Sequence, residues 1–99
     1  MTVKIQSVHF DADKKLLEFI QEKVNKLTHF YDGIIRSDVT LRIDKSSDQD
    51  NKIAEIKLHV AGNDLFVKKQ CKSFEEAVDT SLEALKIQVK KHKEKIKGI

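Results

Sequence analysis

Four histidines, one cysteine and sixteen carboxylates are the groups in this chain with a capacity for bond-making chemistry. Their placement does not use that capacity. His9, His29, His59 and His92 fall on different predicted segments, with no pair at the helical spacing that a zinc site uses. Each reads as a surface or boundary side chain. Cys71 has no nucleophile signature around it and reads as a small residue at the edge of the core. Gly33, Gly62 and Gly98 are too far apart to cradle a phosphate. The carboxylates fall on predicted polar faces, without the apolar surroundings that tune one of them as an acid or a base. The expectation is a protein that is not an enzyme and that uses no metal and no cofactor.

The residues arranged for a task are lysines. Between positions 84 and 97 stand Lys86, Lys90, Lys91, Lys93, Lys95 and Lys97 against the single acid Glu94. That stretch carries +5, which leaves −2 on the rest of a chain whose net charge is +3. On a helix, Lys86, Lys90, Lys93 and Lys97 step by four, three and four onto one stripe, and Lys91 and Lys95 form a neighbouring row. Like charges at these spacings repel one another and cost helix stability unless an anion neutralises them. Lys23 and Lys26, three apart on an earlier helix, add to the set. If the two helices pack side by side, both sets line one positive groove. Such a surface suits a polyanion, held by phosphate contacts whose affinity falls steeply with salt. The plainer reading is a solubilising helix end, where lysines also favour the negative pole of the macrodipole. A membrane surface fits less well, because no large apolar side chains are interleaved with the lysines.

The elements that must position these lysines are legible from period and caps. Residues 2–8 alternate as a short strand, with Val3 and Ile5 on one face. Asp13 is an N-cap for a helix over 14–31, whose stripe is Leu16, Ile20, Val24, Leu27 and Tyr31. Asp32 and Gly33 end it, the glycine in the left-handed conformation. Strands follow over 38–44, with Val39, Leu41 and Ile43 inward, and over 52–61, with Ala54, Ile56, Leu58 and Val60 inward. A polar, mobile loop over 45–51 joins them. Gly62, Asn63 and Asp64 turn the chain into a strand over 65–71, with Leu65 and Val67 inward. Ser73 and Glu76 form a capping box for the last helix, whose stripe is Phe74, Val78, Leu82, Leu85 and Val89. The fold class is α+β: a β-α-β-β-β-α order, with a four-stranded mixed sheet and two helices packed on one face.

Ninety-nine residues make one domain with one core, so positions 1–99 are read as a single domain. No apolar run is long enough for a signal peptide or a bilayer span, and a lone cysteine suits a reducing compartment; the cytoplasm is the expectation. The element order contains the helix–three strands–helix layout of a double-stranded RNA-binding domain. That domain's second helix starts basic, whereas this one starts with Glu75 and Glu76. Phe66, on the outer face of the sheet, lacks the glycine-aromatic signature of an RNA-recognition motif.

The run Leu85-Lys86-Ile87-Gln88-Val89-Lys90-Lys91-His92-Lys93-Glu94-Lys95 resembles the end of short bacterial ribosome hibernation promoting factors and the related ribosome-associated inhibitor, where the pattern is close to Arg-Gln-Leu-x-Lys-His-Lys-Asp-Lys. Phe74-Glu75-Glu76-Ala77-Val78-Asp79 is similar to that family's aromatic-x-Ala-Ala-Ile-Asp helix start, and Lys23-Val24-Asn25-Lys26-Leu27 to its Lys-x-x-Lys-Leu. The resemblance runs from residue 2 to about 96. It implies binding to the small ribosomal subunit and its rRNA near the decoding centre, overlapping mRNA and tRNA, so that translation is inhibited in stationary phase or stress. Carried over by position, Lys23, Lys26, Lys91 and Lys93 are the rRNA-binding residues, and helical geometry adds Lys86 and Lys90. Ile87 stands where the family often has arginine, with Lys86 as the substitute charge. The chain ends at Ile99 without a second domain or acidic tail, like the short forms, which in some bacteria pair inactive ribosomes with help from a second small hibernation factor. No membrane and no small-molecule substrate is implied. A protein-interaction modulator of transcription and a general RNA-binding chaperone are the alternative readings.

Overall fold

Apolar side chains every second residue specify a half-buried strand, and every third or fourth a helix with one buried stripe. The computed structural model describes residues 2–31, 33–46 and 49–96, apart from the side chains of Thr28, Lys95 and Ile96. Its elements are β1 (Thr2–Ser7), α1 (Lys14–Phe30), β2 (Ile34–Ile43), β3 (Lys52–Val60), β4 (Asn63–Cys71) and α2 (Phe74–Ile96). The strands lie in the order β1-β2-β3-β4, with β1 parallel to β2 and the other two pairings antiparallel. This is the predicted β-α-β-β-β-α arrangement: a mixed sheet covered on one face by two helices.

Both helices begin where their caps predict. The Asp13 carboxylate accepts the Leu16 N–H at 2.8 Å, and the Ser73 hydroxyl accepts the Glu76 N–H at 3.1 Å. Each satisfies a donor that the first turn leaves unpaired, an effect of ~1 kcal/mol. The end of α1 differs from expectation. Tyr31 leaves the helix in extended conformation at φ −149°, while its N–H still donates to the Leu27 carbonyl. Gly33 packs against Tyr31, so that a Cβ there would displace the end of the Tyr31 side chain. Asp32 lies outside the described residues.

Strand β2 starts four residues earlier than predicted, at Ile34. A register shift between Ile34 and Arg36 leaves both Ile35 and Arg36 exposed and turns Ser37 inward, so the period of two fails just where the strand begins. Ile43 is a second correction: at 38% exposure it sits at the end of β2, still paired with Lys52, and is not a core residue. The hairpin turn is Ala61-Gly62, with Gly62 at φ +80° and Asn63 already paired with Val60. The described part of the 45–51 loop is tied down. Gln70 of β4 donates to the Asp44 carboxylate at 2.9 Å and to the Asp50 carbonyl at 2.7 Å; Ser47 and Asp48 lie outside the described residues.

The core lies between sheet and helices. Ile20, Val24 and Leu27 of α1 and Val78, Leu82, Leu85 and Val89 of α2 meet Val39, Leu41, Ile56 and Leu58 of the sheet. Full burial of one such aliphatic side chain contributes about 1.5–3 kcal/mol. Phe10, just after β1, stacks on Phe74 at 5.0 Å and fastens the start of α2. With these stripes fixed inward, the remaining faces of both helices are fixed too, and the lysines with them.

Candidate nucleic-acid interface

At about 100° per residue, Phe19, Lys23, Lys26 and Phe30 fall on one flank of α1, beside its buried stripe. By the same rotation Asp79, Lys86, Lys90 and Lys93 fall on one flank of α2. The two flanks face each other across a cleft. At its upper part the Lys23 ammonium lies 3.5 Å from an Asp79 carboxylate oxygen and 5.5 Å from the Phe19 ring centre. A recess of about 390 Å³ beside this pair is lined by Lys23, Lys26 and Lys86 together with Asp79 and Glu83.

Farther along both helices the character of the cleft changes. The Lys93 ammonium sits 5.5 Å above the Phe30 ring and 5.8 Å from the Tyr31 ring. Tyr31 in turn meets His92 edge-on at 6.0 Å. A second recess, of about 350 Å³, is bounded by Phe30, Lys90, Lys93 and Glu94. Among the described residues no carboxylate lies within 4.0 Å of Lys26, Lys86, Lys90, Lys91 or Lys93.

The structure therefore brings together five of the six lysines singled out from the sequence: Lys23, Lys26 and Lys86 in the upper recess, Lys90 and Lys93 in the lower. Lys91 is exposed but lies one residue, or about 100°, around α2 from Lys90, on the flank turned away from α1. The side chain of Lys95 and all of Lys97 lie outside the described residues. Lys86 and the neighbouring position 87 point in different directions. Ile87 points outward, exposed, while Lys86 is turned into the cleft. Two members of the site escaped sequence reading. Asp79 follows Glu75 and Glu76 in the opening turns of α2, where acids suit the helix dipole, so its type does not mark it as part of a cleft. Phe30 is off the buried stripe, yet its spacing of four from Lys26 and seven from Lys23 puts it on their flank.

The opposite face of the sheet also carries charge, and part of it is paired within the protein, although Lys4, Lys57 and Lys68 there have no carboxylate within 4.0 Å among the described residues. Arg36 lies 3.4 Å from Asp38, and the Arg42 Nε–H donates to Glu55 at 3.3 Å. The His59 ring, half-buried on β3, touches Asp38 through Nε2 at 2.9 Å and Asp64 through Nδ1 at 3.1 Å. Phe66 stands exposed among these pairs. At the far edge, hydrogen bonds from the Ser46 side chain, from Gln70 and from the Ser46 backbone hold the Asp44 carboxyl below its ordinary value, helped by nearby Lys68. Among the described residues there is no metal-ligating cluster, and no helix is long and apolar enough to cross a membrane.

A mixed four-stranded sheet under two helices, with a cationic flank on the helix layer of which only Lys23 is paired among the described residues, defines a small basic sheet-and-helix protein. The chain belongs to the sigma 54 modulation protein / S30EA ribosomal protein family, whose model matches residues 3–97. A ribosome hibernation promoting factor of Klebsiella oxytoca is 27% identical over 97 residues, which cover 98% of each chain. The ribosome hibernation promoting factor of Escherichia coli K12 shows the same identity and coverage. Among solved structures, a ribosomal subunit interface protein from Coxiella burnetii superposes with a TM-score of 0.84 at 19% identity, covering 94% of this chain and 98% of that one. The N-terminal domain of Thermus thermophilus Protein Y gives 0.78 at 20% identity, covering 93% and 99%. At these identities the structures speak for the fold alone. The family is one of ribosome hibernation factors and not of enzymes.

Proposed function

We propose that this protein silences translation by occupying the small ribosomal subunit near the decoding centre, where it competes sterically with mRNA and tRNA. Family membership and the names of its relatives support a ribosomal partner. The observation that carries the choice of surface is the contrast between the two faces. On the open sheet face Arg36, Arg42 and His59 are paired with carboxylates and the unpaired Lys4, Lys57 and Lys68 sit on three different strands, whereas Lys26, Lys86, Lys90 and Lys93 are gathered in the interhelical cleft with no carboxylate partner among the described residues. Crowded ammonium groups on a rigid helix gain most from a partner that brings phosphates, and rRNA is such a partner. Residues 1–99 act in this reading as one ribosome-binding domain in the cytoplasm, using no cofactor and working by exclusion.

The test is sedimentation of the protein with purified small subunits over a range of salt. Association at low salt that falls steeply as salt rises, together with loss of mRNA or tRNA binding, is the expected result. No co-migration at low salt overturns the reading. Capture of RNA polymerase in place of ribosomes points to modulation of transcription instead.

A further inference from the structure

Phe30 is the last residue of α1 and leaves 43% of its surface in water. A lone exposed phenylalanine is ordinary on a protein surface. This one is placed differently from Phe66, the other exposed aromatic, which lies in a sheet-face recess with Lys4, Arg36, Asp38, Glu55 and Lys57 and has no cation over its ring among the described residues. Phe30 forms the wall of a recess whose other sides are Lys90, Lys93 and Glu94, and neither lysine has a carboxylate within ion-pair distance among the described residues. The Lys93 ammonium lies over the ring at 5.5 Å, which backs the aromatic plane with a positive charge and restricts its orientation. Held ring, backing cation and adjacent free ammonium are what a single nucleotide requires: a plane for the base and a charge for the phosphate. A duplex offers its bases no such access, so the occupant is an unpaired nucleotide.

We propose that Phe30 is a stacking platform for one unpaired base of single-stranded RNA, with Lys90 and Lys93 holding the phosphates that flank it. The proposal rests on the rRNA-binding reading above and adds to it a contact that is insensitive to salt. Phosphate contacts release counterions and set the salt slope; stacking on an uncharged ring releases none. Replacing Phe30 therefore changes affinity at every salt concentration by the same factor, while replacing Lys90 changes the slope.

The chain contains no tryptophan, so Phe30→Trp installs a single indole at the platform. The experiment titrates this variant with small subunits and with a single-stranded oligoribonucleotide, following indole emission, and compares Phe30→Ala and Lys90→Gln with the parent by co-sedimentation. Expected are quenching of the indole on binding, about tenfold weaker association of Phe30→Ala with unchanged salt slope, and a shallower slope for Lys90→Gln. Thermal melting of Phe30→Ala close to that of the parent checks that the fold is intact. Unchanged indole emission while the variant co-sediments, or Phe30→Ala binding as tightly as the parent while Lys90→Gln is weakened, overturns the stacking site and leaves ribosome binding standing. Failure of the parent itself to co-sediment overturns both.

Discussion

The ammonium of Lys23 and the carboxylate of Asp79 lie 3.5 Å apart across the upper part of the cleft between α1 and α2, on the surface proposed to bind RNA. The pair has two consequences. It links the helices weakly, because both side chains are substantially exposed and such pairs contribute ~0–1 kcal/mol. It also occupies one of the cleft's cations and places a negative charge where phosphates would approach.

Asp79→Asn is accordingly expected to strengthen binding. It frees Lys23 and removes a repulsive carboxylate, which together are worth about fivefold in affinity at low salt, or ~1 kcal/mol. If Lys23 then meets a phosphate, the slope of log affinity against log salt steepens by about 0.7–0.9. Stability falls by no more than ~1 kcal/mol. Salt titrations of co-sedimentation and a urea melt measure the two effects separately. Unchanged affinity would mean that Lys23 does not face the RNA.

The lysines of α2 are expected to divide by flank. Lys86→Gln and Lys90→Gln, both in the cleft, each weaken small-subunit binding about five- to tenfold and each reduce the salt slope by about 0.7–0.9. Lys91→Gln, about 100° around the helix from Lys90, has the smaller effect. Equal losses at Lys90 and Lys91 would show that RNA wraps the whole exposed side of α2 and is not confined to the cleft.

Much of this arrangement is legible in the sequence because both helices announce themselves twice, by cap and by stripe. Asp13 and Ser73 set where α1 and α2 begin, and the stripes from Ile20 to Leu27 and from Phe74 to Val89 fix which way the lysines point. What the sequence hides is where local pattern is overridden by pairing. The start of β2 looks irregular because the register shift at Ile34–Arg36 exposes two successive residues, and only the pairing with β3 reveals a strand. Ile43 fits the alternation yet lies beyond the helices' cover, and alternation carries no information about what covers a strand. Gly33 suggests a helix cap by its identity, and only the folded chain shows the end of the Tyr31 side chain lying where a Cβ would be. The pairing of Lys23 with Asp79, and the gathering of Phe30 with Lys90 and Lys93, join residues on separate helices and follow from the packing of α1 against α2.

Acid stability is expected to depend on Asp44. Its carboxyl is held below the ordinary value of 3.8, first by the Ser46 hydroxyl and next by Gln70. A depressed value in the folded state means that the ionised carboxylate contributes stability above the unfolded value, and that this contribution is lost as pH falls below 3.8 through the folded value. Asp44→Asn should therefore be less stable than the parent near neutral pH, with the gap closing below about pH 4. Urea midpoints measured at about pH 7 and about pH 3 provide the comparison. A gap that stays constant would assign the loss to the neutral hydrogen bonds alone.

Stability and binding should be separable at Ser81. Its side chain is fully buried on the core stripe of α2, and its hydroxyl has no hydrogen-bond partner among the described residues. A buried hydroxyl without a partner costs ~1–3 kcal/mol, and alanine is the better helix former by up to ~0.7 kcal/mol. Ser81→Ala is expected to stabilise the protein by about 1 kcal/mol, which for a domain of this size raises Tm by about 4–8 °C. A lower Tm would show that the hydroxyl bonds to a carbonyl one turn earlier on the helix. Because residue 81 faces the sheet and not the cleft, affinity for small subunits should not change. The variant then serves as a more stable background in which losses caused by the lysine substitutions reflect binding rather than unfolding.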